Sequence, residues 1–442
     1  MRKALTLAVL AAWILFLVSS ITASAAAPQV NVIRVKGVIS PIIAGYIAKG
    51  IQAAETDQAQ ALIIEMDTPG GLDSSMRDII QNILGSKVPV VVYVWPQGAR
   101  DASAGVFITM ASHVAAMAPN TNIGAAHPVA MGGSPTGGTE APSADDTQIA
   151  KATNDAVAYI KSLASQRGRN ADWAEQAVRQ SVSITAAEAL QAGVIDIVAN
   201  DLQDLMVQLD ERQVSTSDGT VTLHTAGATI RQMDMSPLEQ FLLSISDPNI
   251  AFLLLSLAVT ALFIEFANPG LILPGVIGVI SLLLALFSLG TLPVNYAAVG
   301  MIFLAFILFL LEVKIVSYGL LTIGGIISMA LGGLLLINSA SPELQVSRPL
   351  LAFVVLATAA SFFLVLRAVH RAQRRSPATG REGLIGQTAI ARSTLAPNGY
   401  IFLEGERWLA VSDEGTIAEG EPVVVVGKEG FTLHVMRAVL AP

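Results

Sequence analysis

The sequence predicts three parts of different fold class: an α/β domain, a bundle of membrane-spanning helices and a small β-barrel. Strand-like and helix-like segments alternate up to residue 235, nearly uninterrupted apolar segments follow from residue 250 to 366, and a polar, turn-rich tail begins at residue 381. The mean hydropathy of +0.60 and the charged fraction of 14% lie outside the usual range of water-soluble proteins. Membrane segments are therefore expected before any motif is considered.

The composition excludes several classes of site. A net charge of −8 and an isoelectric point near 5.2 argue against a nucleic-acid partner. Because the chain has no cysteine, disulfides, thiolate nucleophiles and cysteine-based metal sites are excluded. Five scattered histidines do not favour a histidine-built metal site either. We expect neither a metal nor a cofactor.

Residues 1–27 have the features of a signal peptide. Arg2 and Lys3 form a basic start, an apolar stretch follows, and the segment Ala23-Ser24-Ala25 has small residues at the cleavage-site spacing. An uncleaved anchor is the alternative. In both cases the residues that follow leave the cytoplasm.

The alternation within residues 28–235 predicts a parallel sheet. Short β-branched runs typical of buried strands occupy residues 30–39, 61–69 and 88–95. The segments between these runs carry apolar residues at helical spacing, and such strand–helix alternation implies right-handed crossovers. Farther along, Thr185 and Glu188 have the spacing of a capping box that opens a helix ending near Gly193.

Residues 250–369 are assigned to the membrane bundle. Charged residues are rare there, and proline, glycine or charge separates five apolar stretches at residues 250–266, 271–290, 296–312, 318–337 and 349–366. Each is long enough to span a bilayer, the first and third only just. A water-soluble helical bundle would show a polar face on every helix, and these segments do not.

Basic residues predict the orientation of a multi-pass protein in the cell (inner) membrane. The strongest cationic cluster follows the fifth span and contains Arg367, Arg371, Arg374 and Arg375. Such clusters stay in the cytoplasm, and Lys314 between the third and fourth spans agrees with that side. Five spans are an odd number, so the α/β domain is expected in the periplasm or outside the cell. The tail is expected in the cytoplasm.

Residues 381–442 predict a small OB-like barrel. Several short alternating strands are separated by Gly, Asn and Asp. Many OB-type barrels bind nucleic acid or oligosaccharide, but this tail is expected to lack a dense Lys/Arg face and interleaved aromatics. A protein-contact role is therefore favoured.

Ser103, in the segment "DASAGVFITMA" (101–111), is the candidate nucleophile. It precedes an apolar run and has only small neighbours, which would leave its hydroxyl open to a peptide. The alternative is a small residue at a tight helix–strand contact. A serine nucleophile needs backbone N–H donors for its oxyanion. Gly70 and Gly71 in "DTPGG" and the N–H of Ala104 could supply them, although the two glycines could equally form a simple turn.

Two residues could serve as the base for Ser103. Lys151 opens a helical pattern 48 residues later, and it could act if burial favoured its neutral form, although a helical lysine is ordinarily a solvated surface residue. His127 lies 24 residues after Ser103 and has the better intrinsic pKa. The residues by themselves favour His127 and leave both open.

Four segments together resemble the membrane-bound, Clp-protease-like serine proteases of the NfeD family, also called stomatin operon partner proteins. They are "MDTPGG" (66–71), "GARDASAG" (98–105), "AKATNDAVAYIKSLASQRGRN" (150–170) and "ITAAEALQAGVIDIVA" (184–199). The resemblance extends to the order of parts and so covers nearly the whole chain. It implies a Clp-protease/crotonase-like α/β fold for residues 28–235, followed by the helical membrane bundle and an NfeD-type barrel.

The resemblance also implies an activity and a set of site residues. In the family, the serine of "ASAG" is the nucleophile, and here it is Ser103. The lysine before "xTN" is the base, which is Lys151 in this chain, and the double glycine that forms the oxyanion hole is Gly70 and Gly71. His127 remains the alternative base, because soluble Clp proteases use a Ser–His–Asp triad with similar spacing. The implied function is a serine endopeptidase that cleaves hydrophobic segments of stomatin- or prohibitin-like membrane proteins, with a homo-oligomer expected.

Three other functions remain as alternatives. A signal-peptide-peptidase-like enzyme would share the dyad and differ in substrate. A non-catalytic membrane scaffold for stomatin-like partners would need neither Ser103 nor Lys151. Acyl-CoA chemistry on the related crotonase fold is disfavoured by export, because coenzyme A is a cytoplasmic cofactor.

Overall fold

The structure is a computed structural model that describes residues 28–128, 144–267, 270–292, 294–315, 317–337, 345–373 and 381–438. The expected signal peptide lies outside the described residues. The chain divides into two compact units, one ending at Thr358 and one beginning at Ala359. The first unit holds the α/β domain and most of the helical bundle, and the second holds the barrel.

A six-stranded parallel sheet forms the centre of the α/β domain, as the sequence predicts. The strands of this domain are β1 (Gln29–Lys36), β2 (Ala61–Asp67), β3 (Val90–Val94), β4 (Arg100–Ala102), β5 (Val114–Met117), β6 (Asn122–Gly124), β7 (Ser183–Thr185), β8 (Ile197–Val198), β9 (Gln213–Thr216), β10 (Gly219–Thr222) and β11 (Thr229–Gln232). The order of strands in the central sheet is β11-β1-β2-β3-β5-β8, and every pairing is parallel.

Helices cover both faces of this sheet. They are α1 (Pro41–Thr56), α2 (Asp73–Gly85), α3 (Ala104–Ala111), α4 (Ala144–Gln166), α5 (Ala171–Arg179), α6 (Ala186–Gln191), α7 (Leu202–Leu209) and α8 (Pro237–Ile245). The larger apolar core lies between one face and α1–α6, and the smaller core packs the other face against α7. The predicted capping box is confirmed, since Thr185 and Glu188 bond each other's backbone N–H groups at the start of α6.

A second sheet, of three strands, was not predicted from the sequence, and one of its strands lies directly before Ser103 in the chain. Its order is β4-β6-β7, with β4 parallel to β6 and β6 antiparallel to β7. Each of its strands has three residues, which is too short to produce a readable alternation in the sequence. The small sheet matters because β4 ends directly before Ser103.

Five helices follow in the described part of the region predicted to lie in the membrane. They are α9 (Pro248–Ala267), α10 (Leu273–Gly290), α11 (Tyr296–Lys314), α12 (Leu320–Leu335) and α13 (Arg348–Gln373). By length and composition, α9 and α10 are adequate to cross a bilayer, whereas the apolar parts of the other three are shorter, at residues 296–312, 320–335 and 348–364. Helix α9 pairs with α10, and α11 pairs with α12.

Hydrogen bonds between helix ends show that the helices alternate in direction. Ser288, at the end of α10, donates its hydroxyl to the carbonyl of Ile245 just before α9, at 2.5 Å. The N–H of Asn295 before α11 donates to the carbonyl of Leu336 after α12, at 2.9 Å. Asn249 in α9 accepts from the N–H of Ser347 before α13, at 2.8 Å. The starts of α9, α11 and α13 thus share a side with the ends of α10 and α12.

Glu312 closes the turn between α11 and α12. Its carboxylate accepts hydrogen bonds from the hydroxyl of Ser317 at 2.5 Å and from the N–H groups of Gly319 and Thr322 at 3.0 and 3.1 Å. These N–H groups belong to the N-terminal end of α12, where a negative charge is favourable. The buried acid therefore serves as a helix cap.

The tail forms a closed five-stranded barrel, which confirms the predicted fold. After a short 3₁₀ helix at Arg381–Leu384, the strands are β12 (Thr388–Ala391), β13 (Asn398–Leu403), β14 (Glu406–Ser412), β15 (Pro422–Glu429) and β16 (Thr432–Arg437). The barrel order is β12-β13-β14-β16-β15, and β14 runs parallel to β16 while its other pairings are antiparallel. A five-stranded closed barrel of this kind is the OB-fold architecture.

One outer face of the barrel combines aromatic, aliphatic and arginine side chains. Adjacent strands align two rows across this face, which we call the aromatic–arginine face: Ile390, Phe402 and Arg407 in one row, and Arg392, Tyr400 and Leu409 in the other. The guanidinium of Arg407 lies 4.0 Å from the ring centre of Tyr400, and that of Arg392 lies 5.5 Å from Phe402. Strand pairing produces this interleaving, which the linear sequence does not show.

Candidate active site

Ser103 occupies the turn between β4 and α3, as expected for a serine at a helix start. Its backbone has φ of 54° and ψ of −114°, a conformation that a residue with a side chain rarely adopts. The side chain is half-exposed and makes no capping hydrogen bond to α3. All eight residues of α3 are buried, so the helix is a fixed support that presents this one hydroxyl.

The segment after β2 lies against the Ser103 turn. The N–H of Thr68 donates to the carbonyl of Arg100 at 2.8 Å, and the N–H of Ala102 donates to the carbonyl of Thr68 at 3.1 Å. The buried Thr68 hydroxyl also accepts from the N–H of Gly70 at 3.0 Å. These bonds hold the "DTPGG" loop beside the serine.

Gly70 is required by two constraints at once. Its φ of +115° is unfavourable for any residue with a side chain, and a Cβ atom there would lie 2.5 Å from the Cβ and 3.0 Å from the Oγ of Ser103. Its N–H already donates to Thr68, so Gly70 is engaged locally. We conclude that Gly70 provides space for the serine and is not a free donor.

The other two expected oxyanion donors are open. Gly71 packs so closely on Ile39 that a Cβ would lie 2.2 Å from the Ile39 carbonyl oxygen. Its bridge to Ile39 uses the carbonyl of Gly70 and the N–H of Leu72, and among the described residues nothing accepts the N–H of Gly71. The N–H of Ala104, the first residue of α3, likewise meets no acceptor in the described part of the chain.

Asp101, which the sequence analysis did not single out, lies beneath the same turn. Its carboxyl is fully buried, and its Oδ2 accepts a hydrogen bond from the hydroxyl of Thr109 at 2.6 Å. Burial raises the pKa of Asp101 to about 7, and the Thr109 bond opposes this rise only in part. A Cβ at Gly105 would lie 2.0 Å from Asp101 Oδ1, so the carboxyl touches the first turn of α3.

Lys151 lies on α4 with its side chain exposed, and no described contact joins it to Ser103. It shares a helix stripe with Asp155 and Tyr159, which follow at intervals of four residues. Asp155 pairs with Arg77 of α2 at 2.5 Å, and the Arg77 guanidinium lies 4.6 Å from the Tyr159 ring centre. The stripe that carries Lys151 is therefore the one that faces α2.

His127 lies after β6 and is half-buried. Its Nδ1 is 2.8 Å from the carbonyl oxygen of Val178, so Nδ1 carries a proton and donates. This bond leaves Nε2 as the nitrogen that could accept a proton. No described contact joins His127 to Ser103, and residues 129–143, between His127 and α4, lie outside the described residues.

One group of described residues has donor atoms close enough to hold a metal ion, namely Asp210, Glu211 and His224. Glu211 and His224 are exposed. Asp210 accepts hydrogen bonds from the N–H groups of Thr225 and Ala226 at 2.8 and 3.0 Å, so it already serves its own loop. The group is separate from the Ser103 turn in sequence and in contacts.

Family models match all three parts of the chain. The NfeD1b N-terminal domain matches residues 29–218, the NfeD integral membrane domain matches residues 249–368, and the NfeD-like C-terminal, partner-binding domain matches residues 381–437. The membrane-bound protease PH1510 of Pyrococcus horikoshii is 38% identical over 92% of this chain and 93% of its own length. This chain belongs to the NfeD family of membrane-bound proteases. Membrane protein NfeD1b of Bacillus subtilis is 27% identical, with 94% of each chain covered.

Solved structures also match the N-terminal half of this NfeD protein. A serine-to-alanine mutant of 1510-N, a membrane-bound stomatin-specific protease, is 40% identical and covers 48% of this chain and 100% of its own, with a TM-score of 0.43. A lysine-to-alanine mutant of 1510-N in complex with a substrate peptide is 39% identical and covers 50% and 98%, with a TM-score of 0.45. The expected protease class is confirmed: the chain is a membrane-bound protease.

The contact between Gly70 and Ser103 predicts a selective loss of activity. Gly70→Ala should lower kcat/KM by about 100-fold, because the new Cβ displaces the serine. Gly219 is the matched control, since its φ is +129° and a Cβ there meets nothing within 4 Å. Gly219→Ala should cost about 1 kcal/mol of stability and leave kcat/KM unchanged. Peptidase assays and thermal unfolding of both detergent-solubilised variants test this, and equal activities would contradict it.

Proposed function

We propose that this membrane-bound protease is a serine protease, with Ser103 as nucleophile, Lys151 as general base and the N–H groups of Gly71 and Ala104 as oxyanion donors. The observation that carries the proposal is the way α4 lies along α3. The C-terminal ends of the two helices are joined, because Arg167 donates to the carbonyl of Ala111 at 2.9 Å. Arg169 adds bonds to the carbonyls at the end of α3, and its charge is balanced by Asp196 at 2.7 Å.

The middle of the two helices is joined as well. The rings of Phe107 and Tyr159 stack with their centres 6.2 Å apart. Since α3 and α4 share this contact and their C-terminal ends, they run in the same direction. Ser103 lies four residues before Phe107 and Lys151 eight before Tyr159, about 6 and 12 Å along their helices. Both residues therefore lie toward the same end of the helix pair.

These groups suffice for peptide hydrolysis. When the Lys151 amine is unprotonated, it accepts the proton of Ser103 Oγ as Oγ attacks the scissile carbonyl carbon. The N–H groups of Gly71 and Ala104 donate to the resulting oxyanion, and the ammonium then protonates the leaving amine. Water attacks the acyl-enzyme in the same manner and releases Ser103.

Variants of the full chain in detergent test the dyad. Ser103→Ala and Lys151→Ala should each lower kcat for an apolar peptide by at least about 1,000-fold, because each removes an essential group. Lys161→Ala is the matched control, since Lys161 lies on the same helix and pairs with Glu175 at 2.6 Å. That variant and His127→Ala should retain activity.

Labelling with a fluorophosphonate probe separates the alternatives. Ser103 should be labelled in the wild-type chain and lose labelling in Lys151→Ala. Loss of activity in His127→Ala with survival in Lys151→Ala would instead indicate a triad enzyme. A wild-type chain that is neither labelled nor active would favour the scaffold alternative.

We further propose that the substrates are hydrophobic segments of stomatin-like membrane proteins and that the aromatic–arginine face of the barrel binds such a partner. The 1510-N protease is described as stomatin-specific, and the matching family model describes the tail as partner-binding. Exposed aromatic and arginine side chains are those that contribute most to protein interfaces. Residues 381–438 contain five basic and eight acidic residues, which disfavours a polyanionic ligand. A signal-peptide-peptidase-like enzyme would instead cleave signal peptides in the peptidase assay. The expected homo-oligomer stays a prediction.

Substitutions on the barrel test this partner face. In the full chain, Tyr400→Ala and Arg407→Glu should each weaken binding of a purified stomatin homologue by about tenfold or more. Phe431→Ala is the matched control, because Phe431 is 81% exposed but lies outside the face. Calorimetry should show unchanged affinity for that control, and an equal loss in all three variants would exclude the face.

We also propose that the protease domain faces the periplasm or cell exterior and the barrel faces the cytoplasm. The odd number of alternating helices described between residues 248 and 373 and the basic residues that follow the fifth apolar stretch support this orientation. Because the chain has no cysteine, single introduced thiols report each side.

Accessibility of two such thiols tests the orientation. Asp218→Cys, in the exposed turn between β9 and β10, should react with a membrane-impermeant maleimide in intact spheroplasts. Glu429→Cys, whose position on the barrel is 89% exposed, should react only after permeabilisation. The reverse pattern would contradict the proposed topology.

A further inference from the structure

The side chains of Asp101 and Thr109 are hydrogen-bonded across the turn that contains Ser103. Asp101 lies two residues before the serine and Thr109 six residues after it, and their side chains share the 2.6 Å hydrogen bond. Both side chains are fully buried. We call this pair the Asp101–Thr109 clamp. It ties the end of β4 to the second turn of α3, so the Ser103 turn is held from both sides.

The clamp also touches the first turn of α3 directly. At Gly105 a Cβ atom would lie 2.0 Å from Asp101 Oδ1 and 2.6 Å from the methyl group of Thr68. The carboxyl is thus enclosed by the helix start on one side and by the "DTPGG" loop on the other. In the described part of the chain, Oδ1 has no hydrogen-bond partner.

A carboxyl in this environment does not stabilise the fold as an apolar residue would. Transfer of a polar group from water into the protein interior is unfavourable when a bonding position is left empty. The Ser103 backbone carries a cost of its own, about 1–3 kcal/mol for a residue held in a sparsely populated conformation. Such a conformation persists only where surrounding contacts fix it. The clamp supplies such a contact, because it joins a residue before Ser103 to a residue after it.

We infer that Asp101 is a positioning residue for the nucleophile: through Thr109 it fixes the first turn of α3 and thereby the direction of the Ser103 hydroxyl and the Ala104 N–H. This inference rests on the proposed role of Ser103. Asp101 itself does not touch the substrate. Its removal should therefore slow acylation while substrate binding remains.

Four variants of the full chain test the clamp. Asp101→Leu removes the acceptor, Thr109→Val removes the donor, and Asp101→Asn keeps an acceptor oxygen of the same reach. The matched control is Thr121→Val, which removes a buried hydroxyl bonded to the Ala118 carbonyl at 2.6 Å. Each is assayed for the rate of fluorophosphonate labelling at Ser103, for kcat and KM with an apolar peptide, and for thermal unfolding.

The clamp predicts a split between kcat and KM. Asp101→Leu and Thr109→Val should lower the labelling rate and kcat by about 10- to 100-fold, with KM changed by less than about twofold. Asp101→Asn should recover activity to within about threefold of wild type, because the bond from Thr109 is retained. Thr121→Val should lower the unfolding temperature and leave the kinetics unchanged.

The outcomes separate this inference from the proposed function. A labelled wild-type Ser103 with unchanged rates in Asp101→Leu and Thr109→Val would overturn the clamp alone. Equal kinetic losses in Thr121→Val would show a general effect of stability and would also overturn it. An unlabelled Ser103 in the wild-type chain would overturn both proposals. If Asp101→Leu fails to fold, Thr109→Val with Asp101→Asn decides the question.

Discussion

The close contact between the Thr68–Gly71 loop and the Ser103 turn is the constraint on which the site depends. Two backbone bonds from Thr68 join the loop to β4, and Gly70 then lies so near Ser103 that no side chain fits between them. This contact sets the position of the serine, and Gly71 is the next residue of the same loop. The parallel sheet supports both segments, because β2 ends where the loop begins.

The buried helix α3 transmits this constraint to the rest of the domain. Its N-terminal end carries Ser103, while Arg169 donates to three carbonyls at its C-terminal end, at 2.9 to 3.0 Å. A buried arginine in this position donates to carbonyls that have no hydrogen-bond donor within the helix, and its positive charge is favourable at the negative end of the helix dipole. The helix is thus fixed at both ends, and the arginine also connects it to the segment that follows α4.

The fold was largely predictable from the sequence. Runs of β-branched residues, the spacing of apolar residues in helices and the length of apolar segments each indicate which nearby residues are buried. The parallel sheet, the helical membrane region and the barrel follow from these patterns. The short strands β4, β6 and β7 could not be predicted, since three residues show no period. Asp101 was missed for a related reason: a charged residue in a polar-looking segment gives no sign that a helix and a loop will enclose it. Contacts between strands also produced the aromatic–arginine face, whose residues are separated along the chain.

The candidate site was predictable only in part. Among the described residues, nothing accepts the N–H groups of Gly71 and Ala104, as the sequence suggested, whereas the N–H of Gly70 donates to Thr68. The base cannot be derived from spacing, because the positions of Lys151 and His127 relative to Ser103 depend on the tertiary packing of α4 and α5. The direction of α4 relative to α3, set by Arg167 and by the Phe107–Tyr159 stack, is the information that the sequence lacks.

The pairing of the membrane helices has a consequence for biogenesis. Each of the first four helices makes its main contacts with its neighbour in sequence, α9 with α10 and α11 with α12, and Glu312 closes the second turn from within. Hairpins of this kind can enter a bilayer as preformed units, because most of their helix–helix contacts exist before the remaining helices arrive. The N–H of Ser347, just before α13, donates to Asn249 in α9, so this bond can form only when α9 is already in place.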